Sequence, residues 1–95
     1  MHTPEWFEKR DVCKYLDSVH CWYFKPSMTG FGSSGVPDIV GCWFGKFIGI
    51  EVKRPGKAPT ERQWGILNAI ADRGGIAVWG TAKDIIASLM QAGVK

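Results

Sequence analysis

The chain has 95 residues, a length that allows one compact domain and leaves no room for a second domain of ordinary size. Hydrophobic residues make up 45% of it and charged residues 22%, which excludes the disordered class. Twelve Lys and Arg against nine Asp and Glu give a net charge of +3, a weak preference for a polyanionic partner such as nucleic acid. We therefore expect residues 1–95 to form a single globular domain.

The cysteines and the apolar runs indicate in which cellular compartment the protein is expected. Cys13, Cys21 and Cys42 are odd in number and form no C-x-x-C pair, so the sequence predicts neither a disulfide framework nor a zinc site. Buried thiols in a reducing cytosol are the expected alternative. No apolar run approaches the roughly 18 residues of a membrane span, and the N-terminus lacks the pattern of a signal peptide. We expect a cytoplasmic protein with no membrane partner.

The first half of the chain predicts a helix, a strand and a loop. Thr3 before Pro4 resembles a helix N-cap, and apolar residues then recur at helical spacing, which predicts a helix over residues 4–19. Residues 21–24 are rich in β-formers and are followed by Pro26, so they predict a short strand. The glycine and serine content of residues 27–35 indicates a mobile loop.

The second half begins with a predicted hairpin, whose strands are residues 38–43 and 46–53 with a turn near Gly45. Thr60 and Gln63 have capping-box spacing and predict a helix over 60–73. Residues 76–79 predict a strand, and a last helix starts at Thr81 and stops at Gly93. The order αβββαβα predicts an α/β fold with a mixed sheet flanked by helices and a right-handed crossover through the 60–73 helix.

Strand periodicity separates chemical residues from core residues in the second hairpin strand. Ile48, Ile50 and Val52 point to one face, while Glu51 and Lys53 point to the other, about 7 Å apart along the strand. Gly49 lies on the same face as Glu51 and is expected to leave space there for a ligand.

Asp38 lies about as far before the turn as Glu51 lies after it, so pairing of the hairpin brings the two carboxylates together. Two carboxylates suit Mg²⁺ or Mn²⁺, with water, a backbone carbonyl and substrate phosphate as further ligands. Lys53 adds a positive charge that can orient the attacking water or stabilise the charged phosphate. This set is typical of phosphodiester hydrolysis.

The same pattern has a plainer interpretation. A D…E-x-K spacing arises often by chance, and Glu and Lys on one strand usually form a solvated face. The five tryptophans are expected to lie mostly in the core.

The run GVPDIVGCWFGKFIGIEVKRPGKAPTERQ, residues 35–63, resembles the core of the virus-type replication-repair nuclease (VRR-NUC) domain, a branch of the PD-(D/E)XK nuclease superfamily. The resemblance implies a restriction-endonuclease-like fold with Asp38, Glu51 and the Val52 backbone carbonyl as metal ligands and Lys53 as a catalytic residue. It also places Gln63 near the active site, although Gln63 can equally serve only as a cap of its helix.

The resemblance implies further residues around this site. A glutamate of the first helix often joins the site in this superfamily, and Glu8 is a better candidate here than Glu5, although either can serve only the first turn of its helix. Four basic residues around the hairpin and the following helix are expected to hold the DNA backbone, or individually to be ordinary surface charges: Lys46, Arg54, Lys57 and Arg62.

Small members of this family that stand alone are similar to phage enzymes that cut DNA junctions. The resemblance therefore implies a nuclease acting on branched DNA such as a four-way (Holliday) junction, in a bacterial or phage-infected cell. A homodimer fits the two-fold symmetry of a junction that needs paired incisions. The rival interpretations are a general nuclease of the superfamily that cuts linear or flapped DNA and a nucleic-acid-binding module that has lost turnover.

Overall fold

The structure is a computed structural model that describes residues 1–27 and 35–95. Its elements follow the order αβββαβα, as the sequence predicts. Their bounds are α1 Pro4–Ser18, β1 Trp22–Phe24, β2 Ile39–Trp43, β3 Lys46–Val52, α2 Glu61–Asp72, β4 Ile76–Gly80 and α3 Ala82–Gln91. The predicted loop over 27–35 lies mostly outside the described residues.

Threonine caps fix where all three helices begin. The side chains of Thr3, Thr60 and Thr81 accept hydrogen bonds from the backbone N–H groups of Trp6, Gln63 and Asp84 respectively. At the start of α2 the capping box is complete, because the Gln63 Oε1 atom also accepts from the Thr60 backbone N–H at 2.9 Å. The helix starts were therefore predictable from sequence.

The four strands form one mixed sheet in the order β1-β2-β3-β4. β1–β2 and β2–β3 pair antiparallel, and β3–β4 pair parallel, so α2 is the connection between two parallel strands. A two-residue turn joins β2 to β3, and both of its residues, Phe44 (φ 46°) and Gly45 (φ 85°), have positive φ. This is the type I′ geometry that matches the twist of a hairpin.

The apolar core lies on one face of the sheet. Ile48, Ile50 and Val52 of β3 are at most 1% exposed and point to this face, as their alternation predicts. They belong to one buried cluster with residues of the two helices that cover the face: Val12 and Leu16 of α1, and Ile85 and Leu89 of α3.

Helix α2 covers the opposite face at β3 and β4. A Cβ added to Gly49 would lie 2.6 Å from the Cδ1 atom of Ile70 on α2, so the absent side chain allows α2 to pack closely on the strand. The expectation that Gly49 leaves space for a ligand is wrong, because Ile70 and Pro37 fill that space.

The remaining expectations about burial are partly met. The three cysteines are free thiols; Cys21 is buried, Cys13 is half-buried and Cys42 is exposed. Among the residues that the structure describes, no helix combines the length and apolarity needed to cross a bilayer.

Candidate active site

Asp38 is fixed at the start of the hairpin by a backbone contact. It immediately precedes β2, and the register Ile39↔Ile50 places it beside Glu51 on β3. Its Oδ2 atom accepts a hydrogen bond from the Val52 backbone N–H at 2.8 Å, which ties the carboxylate to the end of β3. Its Oδ1 atom lies 3.4 Å from the Nζ atom of Lys9 on α1. The predicted meeting of Asp38 and Glu51 is therefore present.

Glu51 is the buried ionisable residue of the site. It is 3% exposed, which makes it the one buried polar or charged residue in the part of the chain that the structure describes. Gln63 donates from Nε2 to the Glu51 Oε1 atom at 3.0 Å, and the Lys53 Nζ atom lies 3.9 Å from the same oxygen. An ordinary solvated strand face would leave this carboxylate in water.

The environment of Glu51 disfavours its charge. Burial, and then the negative charge of Asp38 and a hydrogen bond with it, raise the pKa of the Glu51 carboxyl to about 8, although Lys53 and Lys9 act in the opposite direction. Two carboxylates held together with one of them buried form a site that gains free energy from an added cation. The donor set of Asp38 and Glu51 thus fits a hard divalent ion, which proteins often hold with one or two carboxylates and the substrate.

Gln63 makes both contacts that the sequence allowed. It completes the capping box of α2 and also donates to Glu51, because its side chain has an oxygen for the Thr60 N–H and a nitrogen for the carboxylate. Lys53 is fixed through its backbone N–H, which donates to the Gly80 carbonyl of β4 at 2.7 Å. Its side chain is 13% exposed, so the ammonium lies in the site and not in open solvent.

Glu8 makes a different contact from the one predicted for a site residue. Its Oε1 atom accepts from the backbone N–H of Ala82 at 2.8 Å, at the start of α3. No group of three or more Asp, Glu, His or Cys side chains that could hold a metal occurs within residues 1–27 and 35–95, so Glu8 and Glu5 do not join Asp38 and Glu51 in one cluster. A metal-binding part for either glutamate, and for the Val52 carbonyl, stays a prediction.

The four predicted DNA-binding residues divide into two groups. Arg54 and Lys57 are exposed in the segment after β3, and Arg62 is exposed on the first turn of α2, where its side chain packs against Gly35. Lys46 begins β3 five residues before Glu51, about 17 Å along the strand, so it lies farther from the carboxylates than the other three. Contacts of all four with DNA stay predictions.

Lys9 is the site residue that the sequence did not reveal. It follows Glu8 on a helix whose buried residues are Val12 and Leu16, and no motif singles it out. Its position depends on which flank of α1 faces the Asp38 end of the sheet, which is a property of tertiary packing.

The comparisons with known proteins concern the fold. No protein-family profile and no curated protein matches this sequence. A solved structure described as a VRR_NUC domain is similar to the chain with a TM-score of 0.77 and 20% sequence identity. The alignment covers 95% of this chain and 97% of that one. The predicted resemblance is therefore confirmed for the fold: this chain has the architecture of a VRR-NUC domain, a mixed four-stranded sheet flanked by helices.

Proposed function

We propose that residues 1–95 form one nuclease domain of the PD-(D/E)XK type, a metal-dependent endonuclease that hydrolyses phosphodiester bonds in branched DNA, with the four-way junction as its substrate. The observation that carries the proposal is the buried Glu51 carboxyl beside Asp38, with Gln63 and Lys53 on the same oxygen. A carboxylate pair of this kind is unfavourable for folding alone and useful for holding a cation. The VRR-NUC architecture supports this choice of chemistry.

Asp38 and Glu51, with the Val52 backbone carbonyl, are the proposed holders of Mg²⁺ or Mn²⁺. When bound, such an ion supplies positive charge to a phosphate oxygen and lowers the pKa of a coordinated water. The chain's own contribution is to fix the ligands: the Val52 N–H orients Asp38, and the Gln63 amide orients Glu51. Fixed ligands need no reorganisation during the reaction.

Lys53 is the proposed catalytic cation. Its ammonium lies beside Glu51, and its backbone is locked to β4, so it can orient the attacking water or stabilise negative charge on the phosphate. Arg54, Lys57 and Arg62 are the proposed contacts to nearby backbone phosphates, with Lys46 a more distant one. Glu8 of α1 accepts a hydrogen bond from the Ala82 N–H at the start of α3, and cleavage by a Glu8→Gln variant tests whether it also takes part in catalysis.

We further propose that the active form is a homodimer. The sheet face that carries Glu51 also bears Trp22 and Phe24 of β1 and Phe47 near the start of β3, which are 64%, 47% and 47% exposed. An apolar cleft of about 340 Å³ continues this face between Phe47 and α2. A second copy that covers this face gives two antiparallel active sites for a two-fold symmetric junction.

The test is cleavage of a labelled four-way junction and a matched linear duplex, with Mg²⁺, Mn²⁺ or chelator. We expect metal-dependent, symmetric junction cutting by the wild type. Asp38→Asn should abolish it while the fold persists, because the asparagine oxygen can still accept from the Val52 N–H. Lys53→Ala should reduce cleavage by orders of magnitude but retain binding, whereas the surface control Lys95→Ala should cut like the wild type.

Other outcomes would favour one of the alternative functions. Cutting of linear DNA alone favours a general nuclease of the superfamily. Binding of both substrates without cutting favours a binding module that has lost turnover. Cutting that persists in Asp38→Asn removes the carboxylate pair from the mechanism.

A further inference from the structure

A second concave surface lies along α1, on its solvent side. The cavity has a volume of about 260 Å³. Its lining includes four basic side chains, one acidic side chain and an indole: Lys9, Arg10, Lys14, Lys25, Asp17 and Trp6. None of these residues belongs to the predicted DNA-binding set. We call this surface the α1 cleft.

The charges of the α1 cleft are only partly compensated. The guanidinium of Arg10 pairs with Asp11 at 3.0 Å, and the Asp17 carboxylate accepts from the Tyr23 hydroxyl at 2.9 Å. Lys14 and Lys25 have no ion pair with any residue in the ranges 1–27 and 35–95. Scattered surface lysines are ordinary, but these two ammonium groups outnumber the one carboxylate of the lining, Asp17, so the concavity keeps a net positive charge that favours an anionic ligand.

Lys9 connects the α1 cleft to the proposed active site. It lines the cleft, and its Nζ atom lies 3.4 Å from the Asp38 Oδ1 atom. Lys14 follows five residues later, which is about 7.5 Å along the helix axis. Neighbouring phosphates along one DNA strand are spaced on this scale, so the two lysines can contact different phosphates of the same strand.

We propose that the α1 cleft binds the phosphodiester backbone of the DNA strand adjacent to the phosphate held at Asp38 and Glu51. Lys14 and Lys25 contact the backbone oxygens, and Lys9 lies between the two phosphate positions. This inference rests on the proposed function, since it takes Asp38 and Glu51 to mark the scissile phosphate.

The test is the salt dependence of binding to a labelled DNA duplex, measured by fluorescence anisotropy in chelator, where metal-dependent cleavage cannot occur. Each phosphate contact contributes about 0.9 to the slope of log K against log salt. We expect Lys14→Gln and Lys25→Gln each to reduce the slope by about 1, and the double variant by about 2. Affinity at 0.1 M salt should fall by roughly five- to tenfold per lysine.

Lys95→Gln is the matched control, because it removes the same charge from an exposed lysine outside the cleft. Its slope should equal that of the wild type. The inference is overturned if the cleft variants keep the wild-type slope, if Lys95→Gln loses as much as they do, or if the wild type does not bind DNA.

Cleavage of the same duplex and of a four-way junction in Mg²⁺ separates this inference from the proposed function. Reduced slopes without cleavage of either DNA would retain the cleft as a DNA-binding surface and reject the nuclease. Cleavage with unchanged slopes would retain the nuclease and reject the cleft.

Discussion

Glu51 is an ionisable side chain in surroundings that disfavour its charge. Its carboxyl is 3% exposed and next to Asp38, and its pKa is raised to about 8 from an ordinary value of 4.5. The folded protein therefore holds this proton more tightly than the unfolded chain does. Below about pH 4.5 the group is neutral in both states, so burial of Glu51 then carries no cost for a buried charge.

The free energy of unfolding in chelator should fall as pH rises from about 4.5 to about 8, because the unfolded chain releases the Glu51 proton first. Above that range the carboxylate is charged in both states, and the loss is complete. Urea denaturation at a series of pH values measures this, and the expected loss is on the order of a few kcal/mol.

Glu51→Gln is the control for this pH dependence. The glutamine side chain is nearly isosteric and still offers an oxygen to Gln63, but it does not ionise. The variant should keep its stability across the same pH range and be more stable than the wild type at pH 9 in chelator. An equal loss in the wild type and in Glu51→Gln would show that other groups cause it.

For single residues, the sequence predicted which side chains pair but not what packs around them. Asp38 and Glu51 were placed together by counting residues on either side of a hairpin turn, which is a local rule. The burial of Glu51 and the contact of Lys9 with Asp38 depend on how α2 and α1 pack on the sheet. No short motif encodes such packing.

Among the elements, the hairpin turn contains a residue that its backbone disfavours. Phe44 has φ 46° and is 89% exposed, so its ring gains little from burial. Asparagine adopts this left-handed conformation more readily, and Asn-Gly is the preferred pair for a type I′ turn. Phe44→Asn should therefore raise the free energy of unfolding by about 1 kcal/mol.

Chemical denaturation of Phe44→Asn should show a higher midpoint with an unchanged m-value. Phe44→Ala is the control, since alanine removes the ring without favouring positive φ. A gain of the same size in Phe44→Ala would assign the effect to the exposed ring and not to the backbone.

Glu8 joins two elements that are distant in sequence. Its carboxylate accepts from the Ala82 N–H, so a residue of α1 satisfies a free amide at the start of α3. Glu8→Ala should lower the free energy of unfolding by about 1–2 kcal/mol, measured by urea denaturation. Glu8→Gln keeps an acceptor and should lose less.

Cleavage measured with folded Glu8→Gln then distinguishes a capping role of Glu8 from a catalytic role. If junction cutting falls by more than a hundredfold while stability is retained, Glu8 belongs to the active site as the superfamily resemblance implies. Equal stability of Glu8→Ala and the wild type would contradict the capping contact.

The bounds of the elements were predictable to within about two residues, because threonine caps, glycine stops and β-rich runs are local signals. Gly49 was misread because the sequence does not show which helix covers its face. The close packing of Ile70 explains why a residue without a side chain occupies position 49.

For the whole molecule, the tryptophans correct the expectation that most of them lie in the core. Trp6, Trp22, Trp64 and Trp79 are 37% to 64% exposed, and the buried cluster consists mainly of aliphatic side chains. A chain of 95 residues has a small core, so large side chains remain at its surface.

The proposed dimer predicts that the exposed aromatic residues of β1 and β3 on the Glu51 face of the sheet control assembly. Trp22→Ser with Phe47→Ser should convert a dimer into a monomer, measured by size-exclusion chromatography with light scattering. Phe44→Ser is the matched control, because Phe44 is exposed in the turn outside that face. A wild type that is monomeric throughout the micromolar range would contradict the dimer.

The parallel register of β3 and β4 places Trp79 beside Glu51, and the Trp79 ring meets that of Trp64 edge to face, with centroids 5.4 Å apart. Indole emission responds to nearby charge, and two indoles this close couple their electronic transitions. Occupation of the carboxylate pair should therefore change both the fluorescence and the circular dichroism of this pair, while Trp64→Phe removes the coupled signal. The site contains its own optical probe.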